Sequence, residues 1–150
     1  QHRHFLQQLT KALNSTGVNP ALIELEITES LIMEHLQQSI DIMQQLRDMG
    51  FTLAIDDFGT GYSSLSYLKR FPINTLKIDR AFVCNLEEDK DDQNIVSAII
   101  DLAKHLDLRT VAEGVETEGQ WRFLQKLNCD YIQGFYFSKP ALPSELFKSL

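Results

Sequence analysis

Four times along this chain a short apolar run ends on an acidic residue and gives way to a stretch with helical spacing. The runs are Ala21 to Glu26, Phe51 to Asp56, Thr75 to Asp79 and Arg109 to Glu113. The helical stretches after them cover about Ser30 to Met49, Ser63 to Arg70, Asp91 to Leu106 and Glu118 to Leu127. Strand and helix alternating every ~20 to 35 residues are the signature of parallel βαβ units. The strands read as nearly continuous apolar runs, as parallel strands covered on both faces do. Two more short runs, Tyr131-Ile132 and Phe135-Tyr136-Phe137, bring the expected strands to about six. A helix over His4 to Asn14, stopped by Gly17, comes before the first unit, and a last one starts near Pro143.

Parallel βαβ units build either an open doubly wound sheet or a closed barrel. No GxGxxG follows a first strand, which removes the main support for a dinucleotide-binding sheet. Carboxylates at the ends of successive strands favour the barrel, whose active site lies at the C-terminal strand ends. The expectation is therefore an α/β protein with a TIM-like (β/α) barrel. About six of the eight strands would be present, the first two lying upstream of Gln1. With 150 residues, the chain has the length of one domain, residues 1–150.

Charge narrows the function. A formal net charge of -7 argues against a nucleic-acid binder, which would carry a basic face. It leaves room for a small anionic substrate, because bound divalent cations reverse the sign of a carboxylate-lined pocket. No apolar run reaches the ~18 residues of a membrane span, and no signal peptide is visible, so no membrane contact and a cytoplasmic location are expected. Cys84 and Cys129 have no CxxC or Cys/His neighbours and are read as buried or half-buried free thiols.

At the mouth of such a barrel Glu26, Asp56, Asp57, Asp79, Glu113 and Lys77 would converge. Carboxylates held together repel one another unless protonated or compensated by cations. Oxygen-only ligands suit hard divalent ions such as Mg²⁺ or Mn²⁺, and two such ions are the usual device for phosphodiester hydrolysis. Lys77 stands in the middle of an apolar strand, a costly place for an ammonium without charged partners. Each residue alone has a plainer reading. An acid after a strand is most often a helix cap; Glu29 could cap the next helix, Asp79 could cap a turn or pair with Arg80, and Lys77 could snorkel to the surface. Acids at four strand ends together with an inward-capable lysine are harder to explain that way. In Asp56-Asp57-Phe58-Gly59-Thr60-Gly61, adjacent acids cannot point to one face of an extended strand, so one is expected on the strand and the other on the turn. Gly59 and Gly61 would give the next loop its freedom to move.

Glu26-Ile27-Thr28-Glu29-Ser30, Asp56 to Leu65, Leu76-Lys77-Ile78-Asp79, Ala112-Glu113-Gly114-Val115-Glu116-Thr117 and Gln133-Gly134-Phe135 resemble, in order and spacing, the later motifs of EAL-domain cyclic-di-GMP phosphodiesterases. The resemblance implies hydrolysis of cyclic di-GMP to linear pGpG with two Mg²⁺ or Mn²⁺ ions. It implies Glu26 and Asp56 as ligands of the first metal, with Asp56 bridging, and Asp57 and Glu113 as ligands of the second. Glu113 would double as general base and Lys77 would hold the attacking water. Gln133 and Asp79 would lie on the substrate side. Glu29 would anchor the loop that contains Gly59 and Gly61, and Glu116 would support the site from behind.

The Glu-Ala-Leu strand that names the family and the asparagine-bearing strand after it do not occur in these residues. The chain alone is therefore expected to be inactive or nearly so. Two alternatives stand beside the enzyme: a non-catalytic cyclic-di-GMP receptor or scaffold, and a metal-dependent barrel hydrolase for another phosphoester. An open barrel with unprotected edges and an apolar interior predicts self-association, and an ordinary homodimer is the other expected assembly.

Overall fold

The computed structural model describes residues 2–59, 65–142 and 144. Helix α1 (His2–Thr16) leads through a 3-10 turn at Pro20–Leu22 into β1 (Glu24–Thr28). Then come α2 (Glu29–Glu34), α3 (Leu36–Asp48), β2 (Thr52–Phe58), α4 (Leu65–Leu68), β3 (Thr75–Ile78), α5 (Arg80–Val83), α6 (Lys90–His105), β4 (Arg109–Glu113), α7 (Glu118–Lys126) and β5 (Tyr131–Gln133). The five strands form one sheet in the order β1-β2-β3-β4-β5, every pair parallel. Strands that are neighbours in sequence and in space, each linked by a helix, are what the repeated βαβ pattern predicts.

The two faces of the sheet differ sharply. Leu53, Ile55, Leu76, Ile78 and Ala112 point to the helices and are fully buried with Ile32, Met43, Val96, Ile100 and Leu124. Each large side chain buried this way contributes about 1.5–3 kcal/mol. The opposite, concave face carries Glu24, Glu26, Asp56, Thr75, Lys77, Arg109 and Glu113, joined by hydrogen bonds and ion pairs. This face is mixed rather than purely apolar, since Ala54 and Val111 stand on it in register with Glu26 and Lys77. The apolar residues of β1 alternate with acids, and only its helix-facing half is apolar.

Local sequence accounts for most element ends. Gly17, at φ 67°, stops α1 while its N–H bonds the Leu13 carbonyl. Thr117 and Gln120 form a capping box at the start of α7. Asp89 caps α6 by accepting from the N–H groups of Asp91 and Asp92.

Three expectations need correction. The helix read as one stretch from Ser30 to Met49 is broken at His35, with φ -139° and ψ 59°. No glycine or proline marks the break; α2 packs on β1 and β2 while α3 packs on β2, and tertiary packing overrides the continuous periodicity. Phe135–Phe137 is a turn rather than a sixth strand. Gly134 lies so close to the Val115 backbone that a side chain there would collide with it, and Tyr136 N–H bonds the Val115 carbonyl. The aromatics of that run form a cluster instead, with Trp121 and Tyr136 stacked at 5.9 Å between ring centroids. Third, Cys84 is exposed, while Cys129 is half-buried and both are free thiols. The expected helix from Pro143 lies outside the described residues, apart from Ser144.

Candidate metal centre

Lys77 lies at the centre of the concave face. It is 5% exposed, and its Nζ sits 2.7 Å from Glu26 Oε1, 2.7 Å from Glu113 Oε1 and 3.1 Å from Asp56 Oδ1. The three acids come from β1, β4 and β2, and the lysine from β3, so four consecutive strands deliver one side chain each. Burial by itself pushes the ammonium toward losing its proton. The hydrogen bonds to Glu113, Glu26 and Asp56 outweigh it, and the net shift is upward. Lys77 is a cation here, and the snorkelling reading is excluded.

Asp57 reaches the same cluster by a route the alternation of a strand does not offer. The register of β2 against β3 shifts between Ile55 and Phe58, and Asp57 takes the left-handed conformation at φ 55°. That irregularity turns its carboxylate back toward Asp56, so that Asp56, Asp57 and Glu113 each offer an oxygen within 4.8 Å of the others. The expected split between strand and turn is corrected accordingly: both acids belong to β2, and the bulge lets them share a face. The Asp57 carboxyl is raised above the usual carboxylate range, first by a hydrogen bond with Asp79, then by burial, then by the charges of Asp56, Asp79 and Glu113. Acids crowded so that one carboxyl is raised are suited to a divalent cation, and the donors are all hard oxygens. Asp56, Asp57 and Glu113 therefore fit such an ion, with Glu26 at the cluster's other edge.

Comparison with known proteins decides the family. The EAL domain model matches residues 1–140. The chain belongs to the EAL family. It is 46% identical over 149 residues to the bifunctional diguanylate cyclase/cyclic di-GMP phosphodiesterase MucR of Pseudomonas aeruginosa, covering 99% of this chain and 22% of MucR. It is 44% identical over 135 residues to the cyclic di-GMP phosphodiesterase NbdA of the same organism, covering 90% of this chain and 17% of NbdA. The chain thus spans about a fifth of these relatives. Among solved structures, the PaMucR phosphodiesterase in complex with c-di-GMP superposes with a TM-score of 0.91 at 48% identity, over 94% of this chain and 57% of that one. BlrP1 of Klebsiella pneumoniae, solved with manganese and cy-diGMP, superposes with a TM-score of 0.83 at 36% identity, over 91% of this chain and 35% of that one. The fold is accordingly the TIM-like barrel of EAL domains, incomplete in these residues.

The remaining residues singled out by the EAL motifs fall around the cluster. Glu29 is buried, and its Oε2 accepts the Gly59 N–H at 3.0 Å, while among the described residues no hydrogen bond reaches Oε1. Thr28 holds the cap position of α2, so Glu29 ties down the strand exit at Gly59 rather than capping its own helix. Gly59 has φ 99°, a backbone conformation open to glycine; Gly61 lies outside the described residues. Asp79 caps α5, as one of its plainer readings expected, through the Ala81 N–H at 2.6 Å, and it also meets Asp57 through a hydrogen bond. Arg80 pairs with Glu116 at 2.8 Å instead of with Asp79. Gln133, Glu116 and Arg80, with Lys139, line a cavity of about 420 Å³ beside β5. A second cavity, about 470 Å³ and mainly apolar, lies between Phe5 of α1, Leu25 and Ile27 of β1, and Ile42 of α3.

Some residues of the concave face escape motif reasoning. Glu24 Oε2 accepts from Thr75 Oγ1 at 2.8 Å and pairs with Arg109 at 3.3 Å, tying β1 to β3 and β4 one layer below Lys77. Their register supplied the missing signal: Glu24 and Thr75 stand two residues before Glu26 and Lys77. Gln120 is buried and accepts from the N–H groups of Glu116 and Thr117 while donating to the Cys84 carbonyl, which fixes the turn after Glu113.

Proposed function

We propose that this site, in a completed barrel, hydrolyses cyclic di-GMP to linear pGpG with the help of two divalent cations, Mg²⁺ or Mn²⁺. The observation that carries the reading is the convergence of Glu26, Asp56 and Glu113 on buried Lys77, with Asp57 turned in beside them. The names of the relatives and the ligands of the solved neighbours support cyclic di-GMP as the substrate.

Asp56, Asp57 and Glu113 would hold one ion, and Glu26 with Asp56 would contribute to the other. Such ions acidify water and offset charge on phosphoryl oxygens. Glu113 would take a proton, and Lys77 would orient a water or balance negative charge developing on the phosphoryl group. Gln133 offers an amide on the substrate side, and Arg80 and Lys139 bring positive charge to the same cavity. Glu29 holds the Gly59 end of the loop after β2, which links acid cluster and loop order.

Among the described residues Glu26 and Asp56 are the only ligands that this reading offers to the first ion, which leaves that ion poorly held. The isolated chain should therefore turn over slowly or not at all, and the outer edges of β1 and β5, unpaired among the described residues, favour its self-association. A metal-dependent assay with cyclic di-GMP, linear dinucleotide and mononucleotide competitors tests both statements. Competition by cyclic di-GMP alone supports the substrate. Equal competition by mononucleotides points to another phosphoester, and robust turnover by the 150 residues refutes the account of the first ion.

A further inference from the structure

An ammonium has three N–H donors. Lys77 has three acceptors, one carboxylate oxygen each from Glu26, Asp56 and Glu113, at 2.7, 3.1 and 2.7 Å. Its hydrogen-bonding capacity is full, and its side chain is buried at the base of the cluster. We propose that Lys77 is the resident cation of the ligand cluster: without a divalent ion it holds Glu26, Asp56 and Glu113 together, and an ion can load only as Lys77 gives up part of that grip.

The physical argument has two parts. Three carboxylates brought together on adjacent strands would repel one another, and a buried ammonium among them offsets that repulsion. The ligands are thereby assembled before any ion arrives. The same positive charge, a few ångströms from where an ion must sit, works against a second cation, because like charges in a poorly solvated site repel more strongly than in water. The lysine therefore preorganises the ligands and weakens metal binding at once. A further consequence concerns the water that Lys77 is proposed to orient. With all three donors engaged, Lys77 has none to spare; one carboxylate must be released first. Metal occupancy and water positioning then become coupled through one side chain. This inference rests on the metal-site reading above but not on the identity of the phosphoester.

Titration of the full chain with Mn²⁺ alone, followed by electron paramagnetic resonance of the free ion, tests it. Lys77→Met is expected to bind Mn²⁺ at least about tenfold more tightly than the wild type, whereas Lys77→Arg, which keeps the charge, shows no such gain. Affinity in Lys77→Met equal to or weaker than wild type overturns the proposal. So does an equal gain in Lys77→Arg, which would assign the effect to packing, and so does a lack of Mn²⁺ binding by wild type and variants alike. Should Lys77→Met fail to fold, the wild type supplies the second readout. The nitrogen-15 signal of the Lys77 ammonium should persist in metal-free protein at neutral pH and shift on saturation with Mg²⁺; a signal unmoved by Mg²⁺ overturns the proposal. Failure of the phosphodiesterase reading is separable: tighter Mn²⁺ binding by Lys77→Met would stand even if cyclic di-GMP were not cleaved.

Discussion

On one side of the acid cluster Glu26, Asp56 and Glu113 surround a buried ammonium; on the other, Asp57 meets Asp79 through a hydrogen bond, with Asp56 and Glu113 close by. The two sides solve the same electrostatic problem differently. Lys77 supplies a permanent counter-charge from within the fold. At Asp57 the crowding of acids raises the carboxyl above its ordinary range, a repulsion that a divalent cation can relieve. Backbone geometry follows the same division, since Lys77 stands on a regular strand while Asp57 occupies a bulge at φ 55°. A non-glycine residue in that region costs about 1 kcal/mol or more. Local strain and like-charge crowding are thus concentrated on the side that the proposed function leaves to metal, as expected where stability and activity compete.

Removing the Asp57 charge should have the largest effect. In protein that carries the completed barrel, Asp57→Asn is expected to lower cyclic-di-GMP hydrolysis by at least ~1000-fold while leaving the metal-free protein as stable as wild type or more so, because Asn tolerates the left-handed backbone. Parallel kinetics and denaturant melts in chelator check this; a stability loss larger than the wild-type margin would show that the acid supports the fold.

The mirror experiment acts on the other side. Lys77→Met should destabilise the metal-free protein by about 3–5 kcal/mol, since it leaves carboxylates without their buried partner. Divalent cations should recover part of that loss. Equal melts for wild type and variant would show that Lys77 does not hold the acids together.

Glu29 offers an intermediate effect at the junction with the loop. Glu29→Ala should cost about 1–3 kcal/mol by stranding the Gly59 N–H, and amide exchange at Gly59 should accelerate relative to Leu53 in the core. Unchanged exchange at Gly59 would remove Glu29 from the role of anchor.

The pH dependence is smaller and has a defined sign. Asp57 has its folded pKa raised above the ordinary 3.8. Its contribution to stability is present below the unfolded value and is lost as pH rises through the raised folded value. In chelator, wild type should therefore gain stability relative to Asp57→Asn as the solution is acidified from neutrality. A difference that stays constant with pH would contradict the crowding assigned to Asp57. Least in effect are the thiols: Cys84 is exposed, whereas burial raises the Cys129 thiol, so a disulfide reagent should modify Cys84 well before Cys129.

The alternation of apolar runs and helical stretches made the parallel α/β fold legible from the sequence, and acids at successive strand ends pointed to the cluster around Lys77. What escaped were features set by tertiary contacts. Nothing in Glu34-His35-Leu36 announces a helix break, because the cause lies in the strands that α2 and α3 pack against. Phe135-Tyr136-Phe137 carries strand-like composition, yet Gly134 pressed onto the Val115 backbone turns the chain. The convergence of Asp56 and Asp57 depends on a bulge that their side chains do not encode. The polar layer of Glu24, Thr75 and Arg109 was visible only as isolated charges, since its meaning depends on strand register. Lys77 was the exception: the cost of a lysine in an apolar strand is written in the sequence itself.

Cyclic-di-GMP turnover by protein that carries the completed barrel, followed chromatographically with Mn²⁺ and after chelation, bears most directly on the acid cluster as a divalent-metal phosphodiesterase site. The expected result is linear pGpG formed only with Mn²⁺ present and lost in Asp57→Asn. Formation of pGpG at undiminished rate in chelator, or by Asp57→Asn, would contradict it.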